Sequence, residues 1–136
     1  MKTLFFALGF FLLSGTFTQI LGADAAGVWN GRIVFKTPDR GNQPRDVTLT
    51  LKVDGYKVTG TLSGTWDGHR NSTEILDGKV GGDLVFFAVP SGAKPMDRIE
   101  FVGKQDGDKL TLTITEKNSN NGEERQSGNG LLKRSK

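Results

Sequence analysis

The stretch that decides the fold is Lys52-Val53-Asp54-Gly55-Tyr56-Lys57-Val58, because a similar phrase occurs twice more along the chain. The second copy is Lys79-Val80-Gly81-Gly82-Asp83-Leu84-Val85, and the third is Lys104-Gln105-Asp106-Gly107-Asp108-Lys109-Leu110. Asp-Gly and Gly-Gly pairs supply the positive φ angles that tight hairpin turns require. Each copy therefore predicts two antiparallel strands joined by a short turn, and the three copies together predict six strands.

The flanks of these turns alternate apolar and polar residues, which is the period of a strand with one buried face. Val47, Leu49 and Leu51, for example, alternate with Thr48 and Thr50. The threonine-rich face belongs in water, which excludes a membrane barrel with apolar residues outside. The apolar face predicts one shared core, formed by Val47, Leu49, Leu51, Val58, Leu62, Ile99, Phe101, Leu110, Leu112 and Ile114.

One further strand at each end completes the predicted sheet, with Gly27–Lys36 as the first strand and about Asn129–Arg134 as the last. Eight antiparallel strands in sequence order close most simply as an up-and-down β-barrel. Side chains just fill such a barrel, or it holds one small ligand. Three segments rich in Gly, Asn, Pro and charge are predicted to be mobile loops: Thr37–Arg45, Ser91–Met96 and Lys117–Gly128.

The strand Leu84–Val89 differs from the others because it is apolar on both faces. We expect its outer side, assigned to Val85, Phe87 and Val89, to be covered by a loop or by a partner protein. This strand would suit an interaction with another exported protein.

The N-terminus has the features of an export signal. Met1-Lys2 is a short positive start, Leu4–Leu13 is an uncharged apolar run, and Ala23-Asp24-Ala25 places small residues where signal peptidase reads them. We predict cleavage after Ala25, which leaves one secreted or periplasmic domain, residues 26–136, without a membrane anchor. The chain has no cysteine, so the fold depends on its core and its backbone hydrogen bonds.

The charge balance gives no reason to expect a nucleic-acid partner. The 18 Lys and Arg residues outnumber the 15 Asp and Glu residues by three, and they are spread along the chain rather than clustered.

The chain resembles a class of small exported bacterial domains, through Gly27-Val28-Trp29-Asn30-Gly31, the stretch Leu49–Thr61 and the stretch Asp77–Asp83. Such domains are similar to the calycin group, which includes lipocalins and avidins, and their function is mostly unassigned. The resemblance implies a calycin-like barrel and little about activity. In lipocalins the tryptophan of the G-x-W motif closes one end of the barrel, under an arginine near the end of the chain.

The period of two predicts the same closing contact here. Trp29 shares the inward face of the first strand with Ile33 and Phe35, and Arg134 shares a face of the last strand with Leu132. Barrel closure makes these strands neighbours. We therefore expect Arg134 to lie across the Trp29 ring as a structural closure.

The leading functional hypothesis is a non-catalytic binding module for a small apolar or extended ligand. An aromatic side chain beside hydrogen-bonding groups is the usual make-up of a ligand platform, and the alternative is that Trp66 only packs over the barrel mouth. The predicted ligand-binding residues lie near the open end of the barrel: Tyr56, Trp66, His69, Arg70 and Asn71.

Two other functions remain open. One is an interaction or accessory protein for an exported hydrolase. The other is a hydrolase in which His69, the single histidine, acts as a base oriented by Glu74 or Asp67, although no nucleophile or oxyanion hole can be named. No metal and no cofactor are expected, and we expect a monomer.

Overall fold

A computed structural model describes residues 25–39, 41–66, 68–91, 97–117 and 122–135, so nearly all of the predicted signal peptide lies outside the described residues. In these ranges no helix is both long enough and apolar enough to cross a membrane. The described chain forms nine β-segments: β1 (Gly27–Thr37), β2 (Gly41–Asp54), β3 (Lys57–Trp66), β4 (His69–Glu74), β5 (Leu76–Gly81), β6 (Leu84–Pro90), β7 (Arg98–Asp106), β8 (Lys109–Lys117) and β9 (Glu124–Arg134).

The nine segments make the closed eight-stranded antiparallel barrel that the sequence predicts. Neighbours in sequence are neighbours in the sheet, and β1 closes the ring by pairing with both β2 and β9. The fourth barrel strand is divided into β4 and β5. Both segments pair with β3, β4 along Thr61–Trp66 and β5 at Lys57 and Val58.

The division between β4 and β5 is a local bulge that bends the fourth strand. Asp77 has a positive φ of 53°, and the pairing of β5 with β6 shifts register between Leu76 and Lys79. The carboxylate of Asp77 accepts a hydrogen bond of 2.7 Å from Arg98 Nη1 on β7. Bulges of this kind increase the twist of a strand and help a sheet to close.

The core fills the inside of the barrel, and the predicted core is confirmed. Nine of the ten predicted residues are buried within one cluster, and the tenth, Ile99, is partly buried and packs against it. Trp29, Ile33 and Leu132 belong to the same cluster and have no exposed surface. The threonines between the core positions of β8, Thr111 and Thr113, are exposed.

The predicted faces of β6 are wrong. Val85, Phe87 and Val89 point into the core, with exposures of 1, 4 and 4%, and the outer face carries Phe86. The register explains this arrangement, because Phe87 pairs with the core residue Phe101 and their rings stack with centroids 4.7 Å apart. An alternating pattern cannot orient a strand that is apolar on both sides.

Two of the predicted loops are largely strand. β1 continues to Thr37 and β2 begins at Gly41, so much of the Thr37–Arg45 loop is a hairpin arm. Pro44 is tolerated there because β2 pairs with β3 only from Val47 onward, and an unpaired side needs no N–H. Likewise β9 starts at Glu124, inside the predicted loop Lys117–Gly128. These extensions lengthen the barrel wall at the end where β1 connects to β2 and β8 connects to β9.

Candidate functional site

The barrel has two different ends. The closed end carries the β2–β3, β5–β6 and β7–β8 turns, together with the start of β1 and the end of β9. The open end carries the connections β1–β2, β3–β4, β6–β7 and β8–β9. Because the inner face of each strand runs from one end to the other, the inward residues show which end is filled by side chains and which end holds a cavity.

The closed end is plugged by Trp29 and Arg134. Trp29 has no exposed surface, and Arg134 Cζ lies 4.4 Å from the centroid of its ring, the contact that the sequence predicts. Trp29 Nε1 donates a hydrogen bond of 2.9 Å to the Ala25 carbonyl. Arg134 Nε donates to Asp108 Oδ1 at 2.9 Å, and its Nη1 donates to the Ala26 carbonyl at 2.5 Å.

Toward the open end the inward alternation continues, but with polar residues. On β8, Glu116 follows Ile114 at the next inward position, and it is only 7% exposed. On β2, the inward series that begins at Val47 extends backward to Arg45, which pairs with the buried Ile33. On β9, Gln126 pairs with Glu116. The barrel interior is therefore an apolar plug at one end and a polar ring at the other.

Two adjoining cavities of about 440 and 380 Å³ lie at the open end, and we call them together the mouth cavity. They share Phe35, Ser91 and Ile99 in their walls. The larger one has a mostly polar wall that includes Gln43, Arg45, Glu116, Arg125 and Gln126. The smaller one has an apolar wall of Leu62, Val89 and Phe101, with Asn71 and Thr73 at its side.

Glu116 is the buried charge of the polar wall, and its carboxylate has partners on both oxygens. Gln126 Nε2 donates a hydrogen bond of 2.5 Å to Oε2, and Arg125 Nη1 lies 3.6 Å from Oε1. A buried carboxylate is tolerated when it is paired and hydrogen-bonded in this way. Glu116 is thus a fixed part of the wall rather than a free acceptor.

Arg45 differs from Glu116, because its partners are weak and neutral. Its Nη2 donates to Gln43 Oε1 at 3.2 Å and its Nη1 to the Pro44 carbonyl at 3.4 Å. The Nε atom is buried and has no acceptor among the described residues, and the same holds for the hydroxyl of Ser91. Both residues line the mouth cavity. Buried polar groups normally have a hydrogen-bond partner, so these two groups can bind a molecule placed beside them.

The structure separates the five residues predicted to bind a ligand. Tyr56 lies in the β2–β3 turn at the closed end and is 73% exposed, so the expectation that it lies near the open end with Trp66 is wrong. The ten-residue strand β3 places roughly 30 Å between them at about 3.3 Å per residue. Trp66 pairs with His69 at the open end, although its side chain is outside the described part. Of the remaining two, Arg70 is exposed and Asn71 lines the mouth cavity.

The sequence reasoning missed Arg45, Ser91, Glu116 and Gln126. Arg45, Ser91 and Gln126 fall in segments predicted to be loops, because glycine, asparagine, proline and charge dominate their neighbourhoods. A signal did exist: the period of two extends unbroken from Ile114 to Glu116. Extending the apolar series of β8, β2 and β6 by one inward position identifies Glu116, Arg45 and Ser91. Gln126 follows two inward glycines on β9, so no apolar series leads to it.

The structure does not bring together the two described residues of the predicted hydrolase, His69 and Glu74. His69 is exposed, and Glu74 stands five positions further along β4, so the two residues lie on opposite faces of the strand. Asp67 lies outside the described residues. Across the described ranges, no three side chains from His, Cys, Asp and Glu group closely enough to hold a metal ion.

Comparison with known proteins shows a likeness of fold to solved structures and no match by sequence. No family model matches the chain, and no curated protein matches it. A solved structure of EF1p2_mFAP2b, bound to DFHBI, superposes with a TM-score of 0.60 over 87% of this chain and 96% of that chain, at 15% identity. Rv2717c from M. tuberculosis superposes with a TM-score of 0.54 over 82% of this chain and 92% of that chain, at 15% identity.

A weaker likeness is to a protein of unknown function from the DUF3598 family of Nostoc punctiforme. Its TM-score is 0.48 at 16% identity, over 82% of this chain and 48% of that chain. At these identities the first two comparisons establish the fold alone. This protein shares a barrel architecture with one protein that was solved with the ligand DFHBI and another that was solved without a stated function.

Proposed function

We propose that this protein is a non-catalytic binding module that holds one small molecule in the mouth cavity. The observation that carries the proposal is the division of the barrel interior, plugged by Trp29 and Arg134 at one end and hollow at the other. Ligand sites are concave, mostly apolar, about 300 to 1,000 Å³ in volume and fitted with a few polar groups. The mouth cavity is of this size and is apolar in its smaller part, and its larger part supplies the polar groups.

The wall of the cavity favours a ligand with an apolar body. Phe35, Leu62 and Phe101 would supply the contact surface, and Ser91 and Asn71 would fix its orientation by hydrogen bonds. Each methylene group that the ligand buries contributes about 0.8 kcal/mol. Because association itself costs at least about 4 kcal/mol, net binding needs an apolar body of more than about five methylene groups.

The absence of catalysis is part of the proposal. A serine nucleophile needs a base within hydrogen-bond reach, and Ser91 Oγ has no partner among the described residues. The described residues that line the cavity include no histidine. The partners of Glu116 would hold it as a wall group rather than leave it free as a general base.

We further infer that the protein is exported and that its barrel is calycin-like. The apolar run Leu4–Leu13 and the small residues before Ala26 support export. The contact between Trp29 and Arg134 supports the likeness to calycins. The alternative role as an accessory protein would rely on Phe86 and its exposed neighbour Val102, since Val85, Phe87 and Val89 belong to the core.

A neutral fluorescent probe tests the binding function without knowledge of the natural ligand. N-phenyl-1-naphthylamine brightens in an apolar site, and we expect it to titrate to saturation with one equivalent of protein. Thr73→Phe places a ring in the wall of the smaller cavity and should weaken binding about tenfold or more, as the loss of about 1.4 kcal/mol predicts. Thr111→Phe adds the same ring on the exposed face of β8 and should leave binding unchanged.

The two variants must first be shown to be folded by circular dichroism and thermal unfolding. If the wild-type protein does not brighten the probe, or if Thr73→Phe and Thr111→Phe bind it equally, the mouth cavity is not the site.

A further inference from the structure

We infer that the ligand of the mouth cavity carries a carboxylate, which pairs with Arg45, while its apolar chain lies against Leu62 and Phe101. This inference rests on the proposed function and adds the chemical class of the ligand to it. Its basis is the charge and hydrogen-bond state of Arg45 and the order of polar and apolar groups along the cavity.

Arg45 is set apart from the other described arginines because it is partly buried and lacks a carboxylate, whereas Arg70, which also lacks one, is exposed. Four arginines of the described chain have a carboxylate oxygen within 4 Å, in the pairs Arg32–Asp46, Arg98–Asp77, Arg125–Glu116 and Arg134–Asp108. No described carboxylate lies that close to Arg45. A partly buried guanidinium keeps its charge at any ordinary pH, so Arg45 presents to the cavity a positive charge that no described carboxylate within 4 Å pairs. The two carboxylates of the same wall are Glu116, which is paired with Arg125, and the exposed Asp39.

The geometry of the guanidinium fits a carboxylate better than a single acceptor. Its N–H groups form a planar fork that binds the two oxygens of a carboxylate side by side. Arg45 uses one N–H of Nη1 and one of Nη2 in long hydrogen bonds, and its buried Nε has no acceptor. A buried donor left without a partner costs about 1 to 3 kcal/mol, which a carboxylate oxygen would recover.

The position of Arg45 also sets the direction of the ligand. Arg45 lines the larger, polar part of the cavity, and Leu62 and Phe101 line the smaller, apolar part. Phe35 and Ile99 belong to both walls and connect them. A molecule with an acid group at one end and an apolar chain at the other matches this order, whereas an amine at the same end would be repelled.

Competition with the neutral probe tests the charge preference. Decanoic acid, 1-decanol and decylamine share one chain and differ in the head group, and at pH 7.5 they are anionic, neutral and cationic. We expect decanoic acid to displace N-phenyl-1-naphthylamine at a concentration about tenfold or more below that of decanol. The reason is that a charge-assisted hydrogen bond contributes about 1.5 kcal/mol or more, which corresponds to at least a tenfold difference in affinity. Decylamine should be the weakest competitor.

Substitution of Arg45 assigns the preference to one residue. Arg45→Gln should bring the acid and the alcohol to nearly equal potency, each measured against that variant's own affinity for the probe. Arg32→Gln removes the same charge from the outer face, where Arg32 is paired with Asp46, and should keep the preference. Arg45→Lys keeps the charge but lacks the planar fork of N–H groups, so it should retain only part of the preference for the acid over the alcohol.

Each result bears on a different claim. Probe binding with equal displacement by acid and alcohol would overturn the carboxylate and leave the binding function standing. No probe binding at all would overturn the binding function. A preference for acid that survives in folded Arg45→Gln would remove Arg45 from the site, and if that variant does not fold, the same result in Arg45→Met would do so.

Discussion

The guanidinium of Arg134 lies over the ring of Trp29, with its Cζ atom 4.4 Å from the ring centroid. The cation is 24% exposed at its side chain and is also paired with Asp108 at 2.9 Å. Its bond to the Ala26 carbonyl joins residues 108 positions apart in the chain. An arginine at the rim can therefore cover an aromatic ring without being left as an unpaired buried charge, and it ties β9 to the start of β1.

We expect Trp29 and Arg134 to be coupled in stability. A double-mutant cycle with Trp29→Leu and Arg134→Met, followed by urea unfolding, should give an interaction energy of about 0.5 to 2 kcal/mol, the range for a cation over an aromatic face. Asp108→Asn serves as the control, because it removes the ion pair but leaves the cation over the ring. Additive effects of the two substitutions would show that the contact does not contribute.

The closed half of the barrel could be predicted from the sequence because apolar and polar residues alternate strictly along its strands. Leu110, Leu112 and Ile114 alternate strictly with threonine, and the Asp106-Gly107 turn fixes the register of the hairpin. Parity predicts Arg134 over Trp29, since closure of the barrel makes β1 and β9 neighbours, and the resemblance to lipocalins implies the same contact.

The open half could not be predicted in the same way, because its inward residues look like surface residues. Arg45 and Gln126 follow the inward parity of their strands, yet charge and amide groups are usually exposed. They are inside because the strands extend past the apolar core and enclose a cavity. That cavity exists only when all of the strands are assembled, so the residue pattern of a single segment does not indicate it.

The core register is tested by a pair of neighbouring substitutions on β8. Leu112 has no exposed surface, and Leu112→Ala should cost about 2 to 5 kcal/mol in urea unfolding, through lost burial and the cavity left behind. Thr111 faces outward, and Thr111→Ala should change stability by less than about 0.5 kcal/mol. A loss under about half a kcal/mol for Leu112→Ala would mean that the register is wrong.

The outer face of the barrel makes a prediction about acid pH. Arg32 Nε donates a hydrogen bond of 2.9 Å to Asp46 Oδ1, and this bond and the charge of Arg32 lower the pKa of Asp46 below its usual value. A carboxylate whose pKa is lowered by folding stabilises the protein above the unfolded pKa of about 3.9. That contribution is lost as the pH falls through the lower, folded pKa. Since both side chains are largely exposed, the effect on stability should be small and screened by salt.

A carboxyl NMR titration measures this shift directly. The pKa of Asp46 should lie below that of a free aspartate and should rise toward it in Arg32→Gln. Addition of 1 M NaCl should act in the same direction, although a hydrogen bond is screened less than a distant charge. A titration of Asp46 that is the same with and without Arg32 would contradict the pairing.

The start of the domain is held by Ala25, which is 3% exposed and belongs to the core cluster. Its carbonyl accepts the hydrogen bond of the buried Trp29 Nε1. Cleavage after Ala25, as the small residues of Ala23-Asp24-Ala25 predict, would remove this acceptor. Cleavage after Ala23 would keep it, since the mature chain would then begin at Asp24.

We therefore expect a chain that begins at Asp24 to be more stable than one that begins at Ala26. The loss of the Ala25 carbonyl leaves the Trp29 Nε1 donor buried without its partner, which costs about 1 to 3 kcal/mol. Both proteins should be released from a fusion by a protease that leaves no extra residue, because an added residue before Ala26 would restore a carbonyl. Urea unfolding measures the difference.

The control is Trp29→Phe in both chains, where no indole N–H exists and the difference should shrink. Equal stability of the two chains with Trp29 intact would show that Ala25 is dispensable to the closed end, and N-terminal sequencing of the exported protein would show which of the two boundaries is used.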